Sequence, residues 1–240
     1  MPKLVKQNLV NTVFVKQLRA FGATALILAA TAALCWLVGR RFGPLWGAAV
    51  LLAGGAMAYL SHRQAAILGA GARGERETLG LLKTLPGDYV IFPDLTLQNG
   101  RHQSQLDYLI LTPCGPVVLE CKNVSGIISG DASAQNLSQT KVRGGAPYEQ
   151  KTMYNPLRQV EGHARTLRGL LKSGGLELPV RTAVYFSNPH ATLRLGGRGQ
   201  NLFAVSQSDA LLDFLTKRPE KPLPKGWEKK VTALVKRGGR

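Results

Sequence analysis

The pattern of hydrophobic and polar positions changes sharply along the 240-residue chain. Two uncharged stretches come first, residues 20–39 and 42–60, separated by Arg40-Arg41. Each is close to the roughly 20 apolar residues needed to cross a bilayer. Trp36, Trp46 and Tyr59 lie near the ends of these stretches, where interfacial aromatics concentrate. Two spans with so short a connection predict a transmembrane helical hairpin over residues 20–62. Lys3, Lys6, Lys16 and Arg19 precede it, and Arg63, Arg73 and Arg76 follow it, against two arginines in the turn. That excess places both tails, and the domain that follows, on the cytoplasmic side of an inner membrane. The second span follows the first at once, which argues against a cleaved signal peptide.

Past His62 the pattern is that of a soluble domain, residues 63–216, followed by a basic Lys/Pro-rich tail, 217–240. Gly71-Ala-Arg-Gly74 reads as a flexible approach to a helix over 75–85 that Pro86-Gly87 stops. Leu79, Leu82 and Leu85 form its apolar stripe, with Glu75 beside the stripe and Glu77 pointing away. Glu75 also suits the role of an acid stabilising a helix N-terminus. Residues 89–97 read as a strand, and Asn99-Gly100 as a hairpin turn. Residues 106–111 and 117–124 read as two more strands around the turn Thr112-Pro113-Cys114-Gly115. Their runs Leu109-Ile-Leu111 and Val117-Val-Leu119 are continuously apolar, as expected of strands covered on both faces. Gly126 and Gly130 interrupt a short extended segment, and the polar stretch 131–154 carries no assigned element. Asn155-Pro156 supplies an N-cap and a proline at the first helical position. The stripe Leu157, Val160, Ala164, Leu167 and Leu171 then defines a helix that ends near Gly174-Gly175; Gln159 lies off the stripe and reads as solvated. Strands over 180–186 and 202–205 and a helix over 208–215 complete the domain. Arg194-Leu-Gly-Gly-Arg-Gly reads as a mobile loop, with phosphate contact as the alternative. Residues 227–235 form a basic amphipathic piece suited to anionic lipid or nucleic acid. The expected fold class is α/β (α+β), a mixed sheet flanked by helices.

The candidate chemistry sits on the two central strands. If Leu111 faces Pro116, the antiparallel register carries Asp107 opposite Glu120. Opposed Cβ atoms lie roughly 4.5–5.5 Å apart, close enough for two carboxylates to share a hard cation. Lys122 shares the face of Glu120, while Leu119 and Cys121 point the other way. A Glu-x-Lys pair also suits a solvated sheet face. Within apolar runs, however, charges are costly unless paired or metal-bound, which favours a site.

Composition narrows the partners. The formal net charge is +17, from 31 Lys and Arg against 14 Asp and Glu, and suits nucleic acid or an anionic lipid surface. Cys35, Cys114 and Cys121 have no metal-ligand spacing and favour a reducing compartment. The four histidines, at 62, 102, 163 and 190, are scattered and read as surface or core residues.

These motifs together resemble the NERD (nuclease-related) domain, itself similar to the PD-(D/E)xK restriction-endonuclease-like superfamily. The matching residues are Gly74-Glu75, Gln105-Leu-Asp107-Tyr, Gly115-Pro-Val-Val-Leu-Glu120-Cys-Lys122-Asn-Val-Ser-Gly126 and Asn155-Pro-Leu-Arg-Gln159, spread over about residues 70–172. A Trp that the family often carries ahead of the Asn-Pro helix is absent. The resemblance implies a restriction-endonuclease-like fold with an active centre of Glu75, Asp107, Glu120 and Lys122, and with Gln159 as an accessory polar residue. Asp107, Glu120, the backbone carbonyl of Cys121 and Glu75 would hold Mg²⁺ or Mn²⁺. The expected function is a membrane-anchored, metal-dependent nuclease acting on nucleic acid, DNA rather than RNA. Two alternatives stand beside it: a catalytically silent, membrane-tethered nucleic-acid-binding module, and a scaffold whose basic surface reads anionic membrane lipid.

Overall fold

A computed structural model describes residues 1–6, 12–100, 102–197, 201–217 and 223–238. The chain divides into two units, Val10–Arg73, and Met1–Leu9 with Gly74–Arg240. Helix α1 (Thr12–Phe42) and helix α2 (Pro44–Leu82) form the hairpin and meet at Gly43, whose φ of 98° suits a residue without a Cβ. The turn thus falls just after Arg40-Arg41, which close the last turn of α1 with Arg40 stacked 5.0 Å over the Trp36 ring. Small residues let the two helices approach. A Cβ on Gly54 would meet Thr31 Oγ1 at 2.0 Å, and Thr24 Oγ1 donates to Ser61 Oγ at 2.8 Å. Leu26, Trp36, Trp46 and Leu52 are exposed. Both helices are long and apolar enough to cross a membrane.

Helix α2 does not stop at the end of its apolar stretch. It runs through Gly71–Gly74, so the expected flexible approach and the fresh helix start at Glu75 are absent. Ala65, Ala66, Ala70 and Ala72 are strong helix formers, and no proline interrupts them. Glu75 therefore lies inside a helix, and the reading of it as an N-terminal acid falls.

The second unit begins with strand β1 (Lys3–Leu4) and continues through β2 (Val90–Asn99), β3 (His102–Thr112), β4 (Gly115–Lys122), β5 (Gly126–Asp131), β6 (Asn136–Arg143) and β7 (Ala146–Tyr154). Helix α3 (Pro156–Ser173), β8 (Arg181–Phe186), β9 (Ala191–Gly196), β10 (Leu202–Ala204), α4 (Ser208–Thr216) and α5 (Trp227–Gly238) follow. The main sheet is mixed, ordered β1-β2-β3-β4-β8-β10. On one face Leu109, Leu111, Val118, Val184 and Phe186 pack with α3 and α5. On the other, Ile110, Val117, Leu119 and Ala183 pack with the end of α2 and with α4. The central strands are covered on both sides, as their unbroken apolar runs require. Leu111 pairs with Pro116, the register expected of the turn between β3 and β4.

Strand β1 lies parallel to β2, with Lys3 N–H donating to Tyr89 O at 2.7 Å and Val5 N–H to Ile91 O at 2.9 Å. What reads in the sequence as a plain basic tail begins as an edge strand. The stretch without an assigned element is a second sheet, ordered β7-β6-β5-β9. Its outer strand β7 is largely exposed, so no apolar alternation announces it. Gly144 and Gly145, with φ of 59° and 83°, make the turn between β6 and β7. Arg194, Leu195 and Gly196, expected in a mobile loop, belong to β9; Arg198 and Gly199 lie outside the described residues. The apolar face of α5, expected on lipid or nucleic acid, is buried in the core through Trp227, Val231 and Val235. Asn155 caps α3 as expected: its Oδ1 accepts from Leu157 N–H at 3.0 Å, and its Nδ2 donates to Ala132 O at 2.9 Å and Ala134 O at 2.7 Å.

Candidate active site

Strands β3 and β4 part where their charged residues begin. Their ladder runs as far as the pair Tyr108–Leu119, and Asp107 and Glu120 are the next positions in that register. On the other side of β3, Asp94 falls between the pairs Pro93–Tyr108 and Leu95–Leu106, with a left-handed φ of 48°. Aspartate tolerates that conformation better than most residues. The side-chain alternation of β3 slips at this point: Tyr108 and Ile110 face the α4 layer, yet Leu106 joins Leu109 and Leu111 in the α3 layer. In place of a ladder bond, Asp107 Oδ2 accepts the Cys121 N–H at 2.7 Å. An extended residue aims its N–H and C=O at the same neighbouring strand, so the Cys121 carbonyl lies on this edge too.

Glu120 is only 2% exposed. Lys122 Nζ donates to Glu120 Oε1 at 2.7 Å and to Gln159 Oε1 at 3.0 Å. His163 Nε2 stands 3.6 Å from Glu120 Oε2, and neither atom has a hydrogen bond among the described residues. Gln159 and His163 are one turn apart on α3, on the flank beside its buried stripe. That flank overlies the end of β4, so Gln159 meets Lys122 rather than solvent. Periodicity alone reads it as solvated, whereas the family resemblance groups it with Lys122. His163 escapes the sequence reading, although its spacing of four from Gln159 marks the same helix face.

Glu75 is half-buried and its carbonyl accepts from the Tyr108 hydroxyl, while Glu77 is exposed. Gly74 fixes this part of α2 against the strand ends. A Cβ there would come within 2.5 Å of Asn123 Cβ and Ser187 Oγ. Thr78, one turn on, donates to Gly74 O at 2.8 Å and lies 3.0 Å from Cys121 Sγ.

Removal from water dominates the electrostatics. Burial, then repulsion from Glu120 and Asp94, pushes the Asp107 carboxyl up to about 7, although the Cys121 N–H and Lys122 pull it down. Burial raises Glu120 as well, Glu75 adds to the rise, and Lys122 opposes it. Burial and the Lys122 charge hold His163 below its ordinary value. The Cys121 thiol is pushed up to about 12, chiefly by burial, which makes it a poor nucleophile.

These residues fit a hard divalent cation. Glu120 raises Asp107, one buried oxygen of Glu120 has no hydrogen bond among the described residues, and a backbone carbonyl shares the edge. Among the described residues no three His, Cys, Asp or Glu side chains converge as a closed metal cage. An ion such as Mg²⁺ characteristically takes one or two carboxylates and fills its remaining positions with water and substrate oxygen.

Acids and a lysine thus gather where two central strands part, on a mixed sheet between helices, in an α/β domain. Residues 70–187 match the family model of the nuclease-related domain, NERD. The match encloses Glu75, Asp107, Glu120, Lys122, Gln159 and His163. No curated protein and no solved structure matches the chain.

Proposed function

We propose that the domain hydrolyses phosphodiester bonds in nucleic acid with Mg²⁺ or Mn²⁺, DNA being the expected form, while the helical hairpin holds it at a membrane. The observation that carries this reading is the half-buried Asp107, raised by the buried Glu120, with Lys122 bonded to Glu120. Asp107, Glu120 and the Cys121 carbonyl are the residues to hold the cation, with Glu75 reaching it through water. When bound, the ion would acidify water and offset charge on the phosphate. Lys122 is a compact point charge, oriented by Glu120 and Gln159, and it stabilises negative charge growing on the phosphate oxygens. Gln159 accepts from the ammonium and keeps it beside the Glu120 carboxylate. The short strand β1 supports a topology with both tails on one side: it precedes α1 and yet joins the sheet that follows α2. A chain that crosses a membrane twice returns to the side it left. The basic flanks favour the cytoplasmic side.

The test is cleavage of labelled single-stranded DNA, duplex DNA and RNA by the full chain in detergent, with Mg²⁺, Mn²⁺ or EDTA. Cleavage with either metal and none in EDTA is expected. A chain that binds Mg²⁺ and nucleic acid but cuts none of them defeats the nuclease reading in favour of a silent binding module.

A further inference from the structure

The second sheet forms a cleft of about 600 Å³ lined by Ser125, Gly126, Lys141, Tyr148, His190 and Thr192 among others. It adjoins the candidate active centre along the chain. Ser125 is three residues past Lys122, a reach of at most about 11 Å, and the opposite wall follows Ser187, whose N–H donates to Lys122 O at 3.0 Å. The floor is fixed. Gly126 N–H donates to His190 O at 2.8 Å, and a Cβ on Gly126 would strike Thr140 O at 2.4 Å. A volume of this size matches small-ligand sites.

The placing of Tyr148 is the informative feature. Lys141 pairs with Glu149, and Val142 with Pro147, so Tyr148 is the extra residue of a bulge and has no partner in the ladder. Bulges re-aim side chains and concentrate beside active sites. The ring is kept out of both hydrophobic cores and remains 55% exposed, with the Arg143 guanidinium 5.0 Å above it. Glu149 is held between Lys141 and Lys151, each at 2.8 Å, which leaves the hairpin with a net positive charge. An open aromatic face beside cations is the combination with which proteins take up unpaired nucleic-acid strands. Stacking needs no particular base, and the cations track the phosphates.

We propose that this cleft takes an unpaired nucleotide of the substrate, its base stacked on Tyr148 and its phosphate held by Arg143 and Lys141, so that the domain acts on single-stranded or frayed nucleic acid. The inference rests on the nuclease reading and specifies its substrate class.

The experiment measures binding of a short single-stranded DNA and of a blunt duplex to the full chain in detergent with EDTA, where no cutting interferes. The single strand carries 2-aminopurine, whose fluorescence falls when the base stacks. Tyr148→Ala should weaken single-strand binding about 10-fold and remove the quenching, whereas Tyr148→Phe should preserve both. Arg143→Ala should reduce the salt dependence of binding by about one phosphate contact. Duplex affinity should be unchanged in all three variants. If Tyr148→Ala binds and quenches like the unsubstituted chain, this cleft proposal is overturned even where cleavage confirms the nuclease. If the unsubstituted chain binds no nucleic acid at all, the nuclease reading itself is lost.

Discussion

Replacing Asp107 with asparagine should make the metal-free protein more stable while abolishing cleavage, and the structure sets the size of the effect. An ordinary aspartate titrates near 3.8, whereas Asp107 is held at about 7 by burial and the nearby Glu120. That interval, at about 1.4 kcal/mol per pH unit, corresponds to about 4 kcal/mol of penalty for ionising the folded form. Asp107 is only half-buried by contact with solvent, and screening trims this to about 2–3 kcal/mol. The sign follows from proton linkage. Below about pH 4 the carboxyl is neutral in both states and contributes nothing. Between about pH 4 and 7 the unfolded chain ionises first, so stability falls as pH rises; above 7 the penalty is constant. The asparagine amide does not titrate, and its oxygen can still accept the Cys121 N–H. Calorimetry of the full chain in EDTA should therefore show Asp107→Asn melting near the unsubstituted protein at pH 4. At pH 8 it should melt about 5–10 °C higher. Added Mg²⁺ should raise the unsubstituted chain and close the gap. An asparagine variant that is less stable at pH 8, or a gap that does not change with pH, would refute the account of these two carboxylates as a site strained for a cation.

Other variants separate the remaining parts. Lys122→Ala should cut about 10²-fold more slowly in single-turnover assays, with Mg²⁺ affinity by calorimetric titration equal or tighter because a competing cation is gone; Glu77→Gln, on an exposed position, should leave both unchanged. Gly74→Ala would normally strengthen a helix by about 1 kcal/mol, but here its Cβ meets Asn123 and Ser187, and a net loss of about 1–3 kcal/mol is expected in chemical denaturation. Asn155→Ala removes a helix cap and two bonds to the Ala132 and Ala134 carbonyls, for a loss of about 2–4 kcal/mol by the same measurement.

The main sheet is legible because its signals are local and agree with one another. Unbroken apolar runs mark β3 and β4 as covered strands, the turn from Thr112 to Gly115 sets their register, and Asn155-Pro156 places the start of α3. The turn after Asn99 pairs Asn99 with His102, and continuing that pairing carries Asp94 opposite Asp107. The second sheet is hard to read for a physical reason: its hairpin β6–β7 is mostly polar and β7 largely exposed, and only Gly144-Gly145 betrays the turn. Helix α5 misleads because a basic amphipathic helix reads the same whether its apolar stripe meets a membrane or a core; Trp227, Val231 and Val235 meet the core. At the candidate site, register brings Asp107, Glu120 and Lys122 together and helix periodicity sets Glu75 beside the packed stripe, whereas Gln159 enters only through the family pattern. Periodicity identifies the stripe that packs, and misses the flank beside it that overhangs a strand end.

Several departures from a relaxed fold meet at one point of the sheet. The β3–β4 ladder stops before Asp107 and Glu120, Asp94 holds a left-handed backbone, and a buried oxygen of Glu120 and a nitrogen of His163 face each other at 3.6 Å unpartnered. Over Leu109–Thr112 and Gly115–Leu119 the same strands pair regularly and are buried. Any one departure weakens the fold, and closing the ladder with an apolar pair would remove the repulsion that Glu120 exerts on Asp107 at once. Such clustering is expected where a site must remain open to a charged ligand. The surroundings are built to keep it open rather than to relieve it: Gly74 brings α2 against the strand ends, and α3 holds Lys122 through Gln159. A cation and a phosphate would supply the charges that this arrangement lacks.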